Sequence, residues 1–134
     1  MEKQFETIIE RIASKLEQLG YYHADALVLS ALLISSDDMT SHEIERRTWL
    51  RQPQVSISLS RLIDQGMVIQ SATKSLTVGR PLKLYRVNRP SVVLNNIKNK
   101  IMDDTTEKMR TIEKIEMMLN GNETIPGDIS DNPS

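Results

Sequence analysis

The stretch Arg51-Gln-Pro-Gln-Val-Ser-Ile-Ser-Leu-Ser-Arg-Leu-Ile-Asp-Gln-Gly66 narrows what this chain can become more than any other. It predicts a helix over 52–65 with a marked start and a marked stop. Pro53 sits where a first-turn proline belongs, because its fixed φ suits a helix and its missing N–H would have no partner there. Gly66 sits where a left-handed residue ends a helix. Between them Val55, Leu59, Leu62 and Ile63 recur at helical spacing and predict an inward stripe. The other side carries Gln52, Gln54, Ser56, Ile57, Ser60 and Arg61, an exposed set of amides, hydroxyls, one alkyl group and one guanidinium.

The flanks of that helix sharpen the reading. Upstream, Met39-Thr-Ser-His-Glu-Ile-Glu-Arg-Arg47 predicts a short helix in which Thr40 and Glu43 form a capping box and Ile44 points inward. Only Thr48 to Arg51 separate the two helices, the tight joint of a helix-turn-helix. Trp49 and Leu50 in that joint are expected to pack into the core. Downstream, Met67–Ala72 and Pro81–Val87 favour strands. In the second, Leu82, Leu84 and Arg86 alternate with Lys83, Tyr85 and Val87. The segment Thr73–Arg80 between them is expected to be a long hairpin loop. Helix, helix, hairpin in this order is a winged helix, so the expected class is mainly α with a small β-hairpin wing.

The segment Gln52-Pro-Gln-Val-Ser56, then Leu62-Ile-Asp-Gln-Gly-Met-Val68, Gly79-Arg-Pro81 and Tyr85-Arg-Val87, resembles winged-helix transcription regulators of the MarR and TrmB type, including small archaeal members. The resemblance covers about residues 20–90. It implies that helix 52–65 enters the major groove of double-stranded DNA and that wing 73–80 meets the backbone or minor groove. Several members carry a basic residue where this chain has Ile57, so a base contact there would be apolar.

Chemistry at the polar face agrees with that implication. Gln52 and Gln54 can bond adenine, Arg61 can bond guanine, Ile57 can pack on a thymine methyl, and Ser56 and Ser60 can meet either edge. Arg46, Arg47 and Arg51, with Lys74 and Arg80 from the wing, are the expected phosphate contacts. Net charge is only −1, yet it is unevenly spread. Residues 41–90 hold nine basic side chains against three acidic, a net +6, and the rest hold eight against fifteen, a net −7. Such segregation suits a chain with one face on phosphate. The competing expectation is a winged helix used as a protein–protein adaptor or subunit without sequence-specific DNA binding.

The two ends of the chain predict assembly. Phe5, Ile8, Ile9, Ile12, Leu16 and Leu19 make residues 1–20 an amphipathic helix stopped by Gly20. Residues 21–36 are apolar nearly all round, as a helix buried on most sides must be. After Pro90 an apolar stripe runs to about Asn120 through Val93, Leu94, Ile97, Ile101, Met109, Ile112, Ile115, Met118 and Leu119. Nearly thirty helical residues span roughly 45 Å, more than so small a core can cover. The expected organisation is therefore a supporting helix over 1–20, a winged-helix domain over 21–89, a long dimerisation helix over 90–120 and a disordered tail over 121–134. Ile8, Ile12, Leu94, Ile97, Ile101, Ile112, Ile115 and Leu119 are the expected homodimer interface. The stripe falters at Asp103-Asp-Thr-Thr106, which speaks against a regular coiled coil.

Other function classes find little support. Cysteine is absent, which excludes thiolate catalysis and cysteine-held metals. His23 and His42 stand apart without ligand spacing, and Asp37-Asp38 reads as a helix stop. No phosphate loop or nucleophile elbow occurs. The expectation is no enzyme, no metal and no cofactor. No apolar run approaches a membrane span, and the polar N-terminus is no signal peptide, so a soluble cytoplasmic protein is expected. Nothing in the sequence names a small-molecule effector.

Overall fold

The computed structural model describes residues 2–74 and 81–121, without the side chains of residues 2–6, 72 and 74. In chain order the elements are α1 (Glu2–Gln18), α2 (His23–Ile34), α3 (Ser41–Thr48), α4 (Gln52–Asp64), β1 (Val68–Lys74), β2 (Leu82–Val87) and α5 (Pro90–Leu119). The chain divides into two compact units, Met1–Val93 and Leu94–Ser134.

In the first unit α2 is the central post, packed against α1, α3, α4 and β2. Every side chain from Asp25 to Leu32 is buried, which explains its lack of a polar stripe. α1 lays Ile9, Ala13 and Leu16 inward at steps of four and three. Ile8 remains exposed and Ile12 half-buried on the neighbouring side. Ile44 of α3, Val55 and Leu62 of α4, and Val68 of β1 complete the core. Each fully buried aliphatic side chain contributes about 1.5–3 kcal/mol.

The helix boundaries follow the sequence signals. Thr40 Oγ1 accepts from Glu43 N–H at 3.2 Å, and Glu43 Oε1 accepts from Thr40 N–H at 3.0 Å. Both halves of the capping box are present, which fixes the start of α3. At the end of α4, Gly66 takes φ +75°, and Met67 N–H donates to the Leu62 carbonyl at 2.9 Å, returning the chain toward β1.

The β segment departs from expectation in three ways. β1 continues through Thr73 and Lys74, which pair with Lys83 and Leu82, so the wing's loop is shorter than 73–80. Its tip, residues 75–80, lies outside the described residues. Register shifts between Gln70 and Ala72, leaving Ser71 as a bulge whose hydroxyl donates to the Asp38 carboxylate and the Leu84 carbonyl. Met39 forms an isolated bridge to Tyr85, with N–H···O bonds of 2.9 and 2.8 Å in the two directions. That bridge anchors the hairpin to the entry of α3.

Two packing expectations are corrected. Trp49 is 79% exposed. It ends α3 in the left-handed conformation at φ 64°, and the sharp turn this produces carries its indole outward while Leu50 takes the buried place. Ile63 is 38% exposed, because the inward stripe of α4 runs through Val55, Ser58, Leu59 and Leu62. Ile97 is 3% exposed. The other large apolar side chains of α5 in the second unit, including Leu94, Ile101, Ile112, Ile115 and Leu119, are exposed. Residues 122–134, expected to be a disordered tail, lie outside the described residues. Among the described residues no helix is long and apolar enough to cross a membrane.

Candidate nucleic-acid interface

α4 presents Gln52, Pro53, Gln54, Ser56, Ile57 and Ser60 to solvent, so its polar side points away from the core. Ile57 stands in the middle of this side and is 56% exposed. Ser58 and Leu59 hold the opposite side in the core. The flank formed by Gln52, Ser56, Ser60 and Ile63 faces the hairpin across a cleft of about 400 Å³, whose other wall is Gln70, Lys83 and Tyr85. The helix and the hairpin thus form one continuous surface.

Two residues expected on that surface are committed elsewhere. Arg61 lies at the far flank of α4, where Nε donates to Asp25 Oδ2 at 2.8 Å and an Nη donates to Asp25 Oδ1 at 2.9 Å. Ser58 Oγ donates to the same carboxylate at 2.7 Å, and the Arg61 guanidinium lies 4.7 Å from the centre of the Tyr22 ring. Asp25 is 2% exposed, so its charge needs this partner. The hydrogen bond to Asp25 raises the guanidinium's pKa further above its ordinary value. Arg61 therefore ties α4 to α2. Gln54 is half committed, since its Oε1 accepts from Arg51 N–H at 3.0 Å, which leaves its amide nitrogen and one oxygen lone pair for an outside partner.

The expected phosphate contacts fall into three groups. Arg46 and Arg51 are exposed on α3 and at the start of α4. Arg47 is half-buried and lines a different cleft, with Trp49, Glu10, Glu17 and His23. Lys74 lies on β1 with its side chain outside the described residues, as is all of Arg80.

Sequence reasoning missed Asp25, Gln70, Lys83 and Tyr85. An acidic residue early in an otherwise apolar helix was a visible signal for Asp25. Alternation along β2 already put Lys83 and Tyr85 on one side of the strand. Gln70 had no such signal, because its place opposite Tyr85 depends on the hairpin register. Among the described residues no group of three or more His, Asp or Glu side chains could hold a metal ion.

No family model and no curated protein matches the sequence. Solved structures do. A possible transcriptional regulator from Methanosarcina mazei Go1 superposes with a TM-score of 0.63 at 15% identity, covering 72% of this chain and 80% of that one. TrmBL2, described as an archaeal chromatin protein with a novel mode of DNA binding, superposes with a TM-score of 0.66 at 16% identity. That match covers 91% of this chain but only 46% of TrmBL2. A further transcriptional regulator gives 0.56 at 12% identity, over 90% of this chain and 78% of that one. At such identities the likeness speaks of architecture, and the architecture is the winged helix that these regulators share with this chain.

Proposed function

We propose that this chain is a dimeric, cytoplasmic, sequence-specific regulator that binds double-stranded DNA. The observation that carries the proposal is the outward polar side of α4 lying beside the lysine-bearing hairpin, so that both can meet one duplex. Gln52, Ser56, Ile57 and Ser60, with the amide nitrogen of Gln54, read base edges in the major groove. Arg46 and Arg51, with Lys74 and Arg80 of the wing, hold phosphates and supply the salt-dependent part of the affinity. The winged-helix regulators sharing the fold, and the DNA binding named for TrmBL2, support this reading.

Dimerisation is supported by exposed apolar side chains on α5, among them Ile101, Ile112, Ile115 and Leu119. A helix carrying such a row in water invites a second copy. Two copies on a two-fold axis would read half-sites about one helical turn apart.

The test is selection of duplexes from a random pool, followed by affinity measured against salt. An enriched motif with a steep negative salt slope is expected. A pool that enriches nothing would favour an adaptor role, and no binding at low salt overturns the proposal outright. For the dimer, Ile112→Asp should convert the protein to a monomer by light scattering at micromolar concentration. A variant that assembles like the parent would refute that part.

A further inference from the structure

If α4 lies in the major groove and the hairpin tip reaches the adjoining minor groove, one sugar–phosphate strand must cross the surface between them. Here that surface is the cleft bounded by Gln52, Ser56 and Ser60 on α4 and by Gln70, Lys83 and Tyr85 on the hairpin. The lining supplies amide and hydroxyl donors, and among the described residues Lys83 is its single ionised side chain. Among the described residues no carboxylate lines it. A cation without a counterion in its own cleft, ringed by neutral donors, matches a phosphodiester, which offers one negative charge and acceptor oxygens.

We infer that Lys83 is the phosphate anchor of this interface, gripping the backbone strand that divides the two grooves, with Ser60 and Gln70 as neutral donors beside it. The contact thus comes from the hairpin's rigid strand and not only from its tip. β2 is held there from two sides, by pairing with β1 and by the bridge from Met39 to Tyr85. Lys83 is itself exposed, so changing it disturbs no core packing. The inference rests on the duplex-DNA reading above and specifies where along the surface the backbone runs.

The experiment compares the parent with Lys83→Gln, Lys83→Arg and Lys15→Gln, the last removing an exposed cation on α1. Binding to one fixed duplex is measured against salt, with circular dichroism to verify folding. Lys83→Gln should lower the slope of log affinity against log salt by about 1. Lys83→Arg should keep the slope, and Lys15→Gln should leave it unchanged. A duplex set with single neutral methylphosphonates completes the test. One position should weaken the parent yet leave Lys83→Gln unaffected, since the charge pair is already broken there. If the parent binds with a salt slope that Lys83→Gln preserves, or if Lys83→Gln and Lys15→Gln lose equally, this inference fails while the DNA reading stands. If the parent shows no salt-dependent binding, both fail together.

Discussion

Arg61 shows how one side chain's role is set by what lies opposite it. Its carboxylate partner, Asp25, is almost fully buried and, among the described residues, accepts side-chain hydrogen bonds from Arg61 and the Ser58 hydroxyl. Stranding a carboxylate buried to this degree costs about 3–5 kcal/mol. Arg61→Met should therefore lower the urea midpoint sharply, and Asp25→Leu added to it should restore most of the loss. A variant of full stability with altered sequence preference would return Arg61 to the DNA surface. Trp49 makes the opposite case. A bulky residue at positive φ costs roughly 1–2 kcal/mol of backbone strain, and this indole is exposed. Trp49→Gly should change stability by less than about 1 kcal/mol, because relieved strain offsets the added chain entropy. A loss of about 3–5 kcal/mol, the usual cost of deleting a core aromatic, would mean that the ring is buried after all. Because the chain has one tryptophan, its fluorescence should be readily quenched by acrylamide, which checks the same point independently.

At the scale of elements, local signals proved sufficient wherever the physics was local. The reciprocal hydrogen bonds of Thr40 and Glu43 form within one turn of chain, and Thr40→Ala should cost about 1 kcal/mol, read as a lowered urea midpoint with unchanged slope. Pro53 and Gly66 bracket α4 for similar reasons of backbone geometry. The inward stripe was less legible. Ile63 was expected inside, and Ser58 was given no face, because hydrophobicity was the only guide. In the structure Ser58 is buried on account of Asp25, a residue 33 positions away. The hairpin register shows the same limit, since the Ser71 bulge and the Met39 bridge both depend on partners brought by the fold.

For the whole molecule, solvent exclusion around Tyr21 and Tyr85 gives stability a pH dependence with a definite sign. Burial raises Tyr21 and Tyr85 above the ordinary value of 10.0, because the charged phenolate is disfavoured away from water. The folded chain then holds these protons longer than the unfolded one. Stability from this source is level below pH 10 and falls as pH rises through the folded pKa values. Urea midpoints measured from pH 8 upward should show that decline, and Tyr21→Phe with Tyr85→Phe should flatten it. A decline unchanged in the double variant would assign it to other groups.

The order of elements, the winged-helix class and the polar outward side of α4 were determined by the sequence alone. Capping, helical periodicity and strand propensity act between residues a few positions apart, so they can be read along the chain. Which cations are free to meet a partner was decided only by the tertiary structure. Arg61 was claimed by a carboxylate on α2, Arg47 was placed in a cleft that Glu10 and Glu17 also line, and Lys83 was left in a cleft whose described lining holds no acid. Pairing of charges is set by distance in space, and distance in space is what a linear sequence does not contain.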